Sequence, residues 1–156
     1  MKLVTGHWNE MQHWAAPLRT EVFVHEQGVP QELEWDLEDA SAVHAVLLDP
    51  QGQVLATGRL LVHAPGVGRI GRMAVSAPYR GRGLGRQVLR GLMAVARERG
   101  DHLVCLHAQL SARGFYEREG FTPQGEIFIE AGIEHIEMTC PLQKFGSQQK
   151  LGSDPN

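Results

Sequence analysis

The stretch Ile70–Arg90, with the sequence IGRMAVSAPYRGRGLGRQVLR, restricts the possible folds of this chain more than any other segment. Apolar residues from Ile70 to Val75 predict a β-strand, and apolar residues recur at helical spacing from Leu84 to Val95. A short loop, mostly glycine and arginine, separates the two patterns. We therefore predict a strand that passes through this loop directly into the first turn of a helix.

Three glycines, Gly81, Gly83 and Gly85, stand at this junction with arginines beside them. Glycine lets a ligand approach the backbone, and the first turn of a helix carries unpaired N–H groups and a partial positive charge. Neighbouring arginines favour a diphosphate as the ligand. The alternative is a glycine-rich turn that only caps the helix. Glycine inside a helix costs up to about 1 kcal/mol, and without a ligand nothing offsets that cost.

A second glycine pattern, at Gly66, Gly68 and Gly71, has the GxGxxG spacing of dinucleotide-binding proteins. That motif must follow a strand and begin a helix, whereas here it precedes the strand that ends at Val75. The chain also contains no GxxxxGK[ST] sequence, which argues against a P-loop ATPase or kinase. Neither kind of nucleotide site is therefore predicted.

Together with this strand and helix, the rest of the chain predicts eleven elements, in the order β, α, α, β, β, β, α, β, α, β, β. Asn9 is the predicted N-cap of a helix that ends before Gly28, and Ser111 is the predicted cap of a short helix that ends at Gly120. This order indicates an α/β (α+β) domain, with a mixed sheet and helices on both faces. The predicted strands are Leu3–His7, Val43–Leu48, Val54–Val62, Gly68–Val75, His102–Ala108, Phe121–Glu130 and Ile133–Pro141.

The composition, 42% hydrophobic and 21% charged, is that of one compact domain. We predict this domain over residues 1–145 and a disordered tail over 146–156. A formal net charge of -3 favours neither nucleic-acid nor membrane binding. No apolar run has the length of a signal peptide or a membrane helix, which predicts a cytoplasmic protein with Cys105 and Cys140 as buried thiols. No histidine or cysteine spacing is typical of zinc, so no metal site is predicted.

Two motifs at the right separation resemble those of a known family. The run Arg80–Gly85, RGRGLG, matches the R/Q-x-x-G-x-G/A signature of the GNAT superfamily of N-acyltransferases. Downstream, Gln109, Ala112, Tyr116 and Gly120 are similar to the family's N-x-x-A-x-x-x-Y-x-x-x-G-F run, with Gln109 where asparagine is commoner. The chain therefore resembles a GNAT N-acetyltransferase.

Further residues narrow the resemblance to the ElaA-like (YjcF-like) branch of GNAT proteins. They are the run from Arg19 to Pro30, the acidic residues that follow it, the HAQ and FYE tripeptides that begin at His107 and Phe115, and the segment from Glu130 to His135. The resemblance covers residues 3–142. Acceptors in that branch are generally not assigned, so the resemblance implies the donor and the reaction type only.

The resemblance implies a GNAT fold, a mostly antiparallel sheet of six to seven strands that splays apart between strands four and five. The implied co-substrate is acetyl-CoA, with its pantetheine arm along the fourth strand and its pyrophosphate in the glycine-rich loop. Tyr116 would lie near the sulfur and protonate the leaving thiolate. The implied cofactor contacts come from Met73, Ala74, Val75, Arg80, Gly81, Arg82, Gly83, Leu84, Gly85, Gln109 and Tyr116.

An amine attacks a thioester only when it is neutral, so the reaction also needs a base. The candidates are His107, Glu130, His135 and Glu26, although each could instead be structural. Glu26 and Gln27 are predicted to contact the acceptor. They precede an acidic stretch that could attract a cationic amine, or that could be a solvated face. The acidic stretch comprises Glu32, Glu34, Asp36, Glu38 and Asp39.

The predicted function is acetyl transfer from acetyl-CoA to a primary amine of a small molecule or peptide, and the resemblance allows a homodimer. Two alternatives stay open. One is a non-catalytic acyl-CoA sensor, which would need neither Tyr116 nor a base. The other is a transferase similar to the acyl-homoserine-lactone synthases, suggested by Arg19, Phe23, Trp35, Asp36 and Asp39.

Overall fold

The computed structural model describes residues 1–143, so the predicted tail over 146–156 lies outside the described residues. The strands are β1 (Lys2–Gly6), β2 (Val43–Leu48), β3 (Val54–Ala64), β4 (Val67–Val75), β5 (Leu103–Gln109), β6 (Thr122–Glu130) and β7 (Ile133–Pro141). The helices are α1 (Trp8–Arg19, continued by a π-helical segment, Thr20–Glu26), α2 (Gln31–Glu34), α3 (Leu84–Glu98) and α4 (Arg113–Arg118). Short 3-10 turns cover Leu37–Ser41, Ala77–Tyr79 and Leu110–Ala112.

The strands form one sheet in the order β1-β2-β3-β4-β5-β7-β6. Strands β4 and β5 run parallel, and every other neighbouring pair is antiparallel. Helix α3 joins the parallel pair and supplies the long crossover that such a pair needs. The predicted mixed, mostly antiparallel sheet is confirmed.

Helices α1 and α3 pack on opposite faces of the sheet, as predicted. On β2, Ala45 and Leu47 join the core around α3, whereas Val46 and Leu48 face α1. Side chains alternate between the two faces along a strand, so one strand serves both cores. The larger core lies under α3, whose apolar stripe from Leu84 to Ala96 is buried.

Both predicted helix caps are wrong, whereas the predicted end of the first helix is confirmed. Helix α1 begins at Trp8, and the backbone N–H of the residue before it, His7, donates to the Glu10 carboxylate at 3.2 Å. Ser111 lies within a 3-10 turn and does not cap α4, which begins two residues after it. The π-helical segment that continues α1 ends at Glu26, just before Gly28.

Part of the acidic stretch is buried in ion pairs, so the prediction of an acidic surface is wrong there. Glu34 and Asp39 are both buried, and each binds the buried guanidinium of Arg19. Asp39 also binds Arg59 at 2.8 Å. Burial alone would raise the pKa of Asp39, but the hydrogen bonds and the positive charges of Arg19 and Arg59 together outweigh burial and hold that pKa below its usual value. The network ties α1, α2 and β3 together.

The two cysteines are buried free thiols, as predicted. Burial raises the pKa of both Cys105 and Cys140, which keeps them protonated and unreactive. Among the helices of residues 1–143, none is long and apolar enough to span a membrane.

Candidate active site

A β-bulge in β4 gives the sheet the opening around which the site is built. Between Gly71 and Ala74, β4 has one more residue than the facing part of β3. Arg72, at the bulge, has a left-handed backbone with a φ of 51°, which costs a residue with a side chain about 1–2 kcal/mol. The extra residue shifts the alternation of side chains, so Met73 packs against the core under α3.

The strained backbone of Arg72 is held by contacts from outside the sheet. Its guanidinium donates to the carbonyl oxygens of Leu33 and Glu34 at 3.1 and 3.2 Å, and to the Asp36 carboxylate at 3.1 Å. These contacts tie α2 and the residues after it to the bulge. They also offset the conformational cost, as is common where strain serves a site.

Strands β4 and β5 separate at the bulge. They pair only over residues 67–70 of β4, while β5 stays paired with β7 as far as Gln109 and β4 with β3 as far as Val75. Within the described chain, no strand fills the gap between residues 71–75 and 107–109. The predicted splay is confirmed, and it leaves backbone N–H and C=O groups available to an extended ligand.

On the α3 side, the splay opens into a cavity of about 500 Å³, here called the α3-face cavity. Its lining includes the start of α3, where Gly83 is the N-cap residue with a φ of 78°. A Cβ added at Gly81 would meet no atom within 4 Å, and one at Gly85 would meet only the side chains of Val75 and Phe115, at 3.4 and 3.9 Å. The unpaired N–H groups of the first helical turn therefore face open space that suits an anion.

Most of the predicted cofactor contacts line the α3-face cavity. Arg82 is an exception, because it does not line this cavity; its guanidinium lies 5.4 Å from the centre of the Tyr79 ring. Gln109 is another, because it lines a different cavity. The residues that do line it are Met73, Ala74, Val75, Arg80, Gly81, Gly83, Leu84, Gly85 and Tyr116.

Arg80 is already partnered within the protein. Its guanidinium lies 2.6 Å from a carboxylate oxygen of Glu26 and donates to the carbonyl oxygen of Val75 at 2.9 Å. Glu26, predicted to contact the acceptor, thus lies beside the glycine-rich loop. A diphosphate at the loop has to share Arg80 with Glu26 or displace it.

On the α1 side of the sheet lies a second cavity of about 380 Å³, here called the α1-face cavity. Phe23 and Val29 form part of its apolar wall. His107, Glu130 and His135, from three neighbouring strands, line it as well. Three of the four base candidates therefore share one cavity.

Gln27 and Gln109 bridge the mouth of the splay. The amide of Gln109 donates to the Oε1 of Gln27 at 2.9 Å, and the amide of Gln27 returns a bond of 3.4 Å. This reciprocal pair joins the end of the first helix to the end of β5. Both residues line the α1-face cavity, where Gln27 was predicted to meet an acceptor.

Tyr116 lies where the two cavities meet, together with Met73 and Ala112. Its ring packs edge-on against Phe115 and Phe121, with centroids 4.9 and 5.8 Å away. Burial raises the pKa of Tyr116 to about 12. The phenol therefore stays protonated at physiological pH and is available as a hydrogen-bond donor to either cavity.

His107 has two polar neighbours at the same ring nitrogen. Its Nδ1 lies 2.9 Å from the Oε1 of Glu130 and 3.0 Å from the Nη2 of Arg69. Phe128 packs edge-on against the ring, with a centroid distance of 5.0 Å. When Nδ1 carries the proton and donates it to Glu130, the lone pair lies on Nε2.

His135 is buried, and a backbone carbonyl group selects the tautomer of its neutral ring. Its Nδ1 lies 2.7 Å from the carbonyl oxygen of Ile133, so Nδ1 is a donor and the lone pair lies on Nε2. The ring stacks on Phe128 at 5.8 Å. Within residues 1–143, no group of three or more His, Cys, Asp or Glu side chains is placed to hold a metal ion.

The family of the chain follows from comparison with known proteins. Residues 9–142 match the family model described as an acetyltransferase (GNAT) domain. The chain belongs to the GNAT acetyltransferase family. This confirms the resemblance drawn from the two motifs, and it makes the protein an acyltransferase.

Related GNAT proteins place the chain in the ElaA and YjcF branch. The N-acetyltransferase YjcF of Bacillus subtilis is 34% identical over 139 residues, which cover 88% of this chain and 98% of YjcF. The solved structure of Escherichia coli ElaA has a TM-score of 0.79 and 28% identity, covering 90% of this chain and 99% of ElaA. A Lactobacillus plantarum structure, assigned as an N-acetyltransferase, has a TM-score of 0.84 and 32% identity, and the match covers 91% of this chain and 98% of the Lactobacillus plantarum chain.

Sequence reasoning missed two arginines of this GNAT site. Arg69 faces the α1-face cavity. The alternation of side chains along β4 could have predicted this position, because it places Arg69 on the face opposite the buried Ile70. Arg72 forms the bulge, for which the sequence has no local signal, because arginine does not favour a left-handed backbone.

Proposed function

We propose that this GNAT protein transfers an acetyl group from acetyl-CoA to a primary amine by direct attack of the amine. The observation that carries the proposal is the meeting of the two cavities at Tyr116, through the gap between β4 and β5. One cavity suits a long anionic donor, and the other contains candidate bases. Holding both reactants against one another at that junction lowers the entropic part of the barrier.

The α3-face cavity contains the groups that would hold acetyl-CoA. Free N–H groups at the start of α3, with Arg80 beside them, suit a diphosphate. The backbone from Met73 to Val75 has no strand partner on the β5 side and suits an extended arm that contains amide groups. When bound there, acetyl-CoA supplies an activated acyl group.

On the acceptor side, we assign His107 as the general base and Glu130 as the residue that positions it. With its Nδ1–H donating to Glu130, the imidazole presents the Nε2 lone pair, which takes a proton from the amine. His135 has the same tautomer, with the proton on Nδ1, and is the second candidate for this role. On the donor side, the Tyr116 phenol stabilises the departing sulfur by donating to it.

Of the five residues that suggested a lactone synthase-like transferase, only Phe23 lines one of the two cavities. Arg19 and Asp39, which suggested a lactone synthase-like transferase, are buried in the ion network and face no ligand cavity. A sensor would not need histidines with free Nε2 atoms beside a cavity that opens on Tyr116. The single-domain organisation, the cytoplasmic location and the homodimer stay predictions.

Release of free thiol from acetyl-CoA, measured with a panel of primary amines, tests the proposed reaction. We expect thiol release that depends on the amine, with an N-acetylated product in the mass spectrum. CoA binding without amine-dependent thiol release from any member of the panel would favour the sensor. A lactone product would favour the synthase-like transferase.

The proposed donor site predicts that Gly83→Ala weakens CoA binding. A Cβ at a φ of 78° costs about 1–2 kcal/mol, and relief of that strain turns the N–H groups of the first helical turn away from the ligand. We expect the Kd for CoA, measured by calorimetry, to rise about 10-fold, which is the effect of about 1.4 kcal/mol.

Gly52→Ala is the matched control for this variant. Gly52 has a φ of 82° in the β2–β3 turn and would meet no atom within 4 Å. A Cβ at this positive φ causes the same backbone strain, but away from both cavities. The free energy of unfolding should therefore fall, while the Kd for CoA stays at the wild-type value. An equal Kd in the wild type and Gly83→Ala would contradict the assignment of the loop.

A further inference from the structure

Among the described residues, one cation that lines the α1-face cavity has no carboxylate in direct contact. Glu34, Arg59 and Arg72 line the cavity, but they belong to an ion network in which every arginine has a carboxylate partner, with Glu38 as a further carboxylate at its exposed edge. The network joins Arg19, Arg59 and Arg72 to Glu34, Asp36 and Asp39. Arg69 also lines the cavity, and among the described residues no carboxylate oxygen lies within 4.0 Å of its guanidinium.

His107 does not replace the missing acceptor. Its Nδ1 lies between the Nη2 of Arg69, at 3.0 Å, and the Oε1 of Glu130, at 2.9 Å. One ring nitrogen either donates a proton or accepts one, and it cannot do both. Donation to Glu130 is favoured, because an unprotonated Nδ1 would turn its lone pair toward a carboxylate oxygen. Arg69 then has no hydrogen-bond acceptor among residues 1–143, and the Glu130 carboxylate lies beyond the shared nitrogen.

Arg69 lies next to the proposed base, His107, but on a different part of β4 from the residues beside Tyr116. It precedes the bulge on β4, on the paired part of the strand, whereas Met73 lies beyond the bulge beside Tyr116. Each residue of a strand advances about 3.3 Å. A ligand that spans the cavity can therefore place one end at Tyr116 and the other at Arg69.

We propose that the acceptor is a primary amine that also carries an anionic group, a carboxylate in the simplest case, and that Arg69 binds this group. The inference rests on the proposed acyl transfer and names the class of its acceptor. A half-buried cation without a partner is costly, and a carboxylate supplies charge-assisted hydrogen bonds that remove the cost. The amine then points toward Tyr116, while Phe23 and Val29 contact the carbon skeleton.

Matched acceptors that differ only in the anionic group test this inference. One set is 5-aminopentanoate, 5-aminopentanamide and pentylamine, and a second is phenylalanine with phenylalaninamide, in which the carboxylate lies next to the amine. Two quantities are measured for each: binding to the CoA-loaded protein by calorimetry, and kcat/KM for thiol release from acetyl-CoA. The two sets distinguish a distant carboxylate from an adjacent one.

We expect the carboxylate member of at least one set to bind more tightly than its neutral partner. Arg69→Gln should reduce this preference about 10- to 100-fold, the value of a charge-assisted hydrogen bond. Arg69→Lys, which keeps the charge, should retain most of it. Arg97→Gln is the control, because Arg97 lies at the end of α3 and lines neither cavity; it should leave the preference unchanged.

The binding and turnover measurements separate this inference from the proposed function. Equal binding of carboxylate and neutral members in the wild type overturns the inference, and so does a preference that survives Arg69→Gln. Carboxylate-selective, Arg69-dependent binding without turnover of any acceptor supports the inference and contradicts the proposed acyl transfer. Turnover of neutral amines at equal rates supports acyl transfer and contradicts the inference.

Discussion

Tyr116→Phe is expected to lower kcat about 100-fold, at the lower end of the range for loss of a general acid. The phenol lies at the junction of the two cavities, where the sulfur of a bound thioester would leave. Because burial raises its pKa to about 12, Tyr116 stays a donor throughout the physiological pH range. Phenylalanine keeps the packing against Phe115 and Phe121, so only the hydroxyl is lost. Steady-state kinetics with acetyl-CoA measure the effect.

The binding of CoA separates a catalytic effect from a structural one. Its Kd should be the same for Tyr116→Phe and the wild type, because the ring remains in place. Tyr79→Phe removes the other phenol of the chain, at the loop end of the α3-face cavity, and its kcat should stay close to the wild-type value. An unchanged kcat for Tyr116→Phe would remove this residue from the mechanism.

Arg19→Met is expected to reduce the free energy of unfolding by about 3–5 kcal/mol, the cost of leaving buried charges unpaired. Arg19 is 1% exposed and binds Glu34 and Asp39, which are buried as well. Methionine fills similar space but leaves the two carboxylates with fewer donors. Urea unfolding of the purified variant gives the change in stability.

Arg113→Met is the control for the loss of an arginine ion pair. Arg113 binds Glu117 one turn along α4, and both side chains are exposed. An exposed pair of this kind contributes less than about 1 kcal/mol. A similar loss of stability in Arg19→Met and Arg113→Met would show that the buried network does not stabilise the fold as proposed here.

Much of the α3-face cavity could be predicted because its signals are local. The glycines before α3 are needed where the backbone turns through positive φ at Gly81 and Gly83, and a helix that starts there must leave N–H groups unpaired. The position of Tyr116 followed from the second family motif. The two helix caps failed because Asn9 and Ser111 were judged by residue type alone, while the structure starts each helix elsewhere.

The partners of charged residues could not be predicted, because they depend on packing between distant segments. Glu26 was assigned to the acceptor on the basis of its neighbours in sequence, yet it pairs with Arg80, on the loop before α3. The sequence predicts that Glu34 and Asp39 belong to an acidic surface, yet α2 packs near the end of the first helix and both carboxylates are buried against Arg19. Composition specifies the charges, and only proximity in space decides which of them cancel.

The sequence by itself determined the strand, loop and helix from Ile70 to Val95, the order of the elements and the family, because these depend on residues close together in the chain. The bulge at Arg72, the separation of β4 from β5 and the two cavities were decided by tertiary structure. A left-handed arginine is unfavourable in isolation, and the hydrogen bonds from its guanidinium to Leu33, Glu34 and Asp36 offset that cost. The glycine-rich loop is thus a local property of the chain, and the α1-face cavity is not.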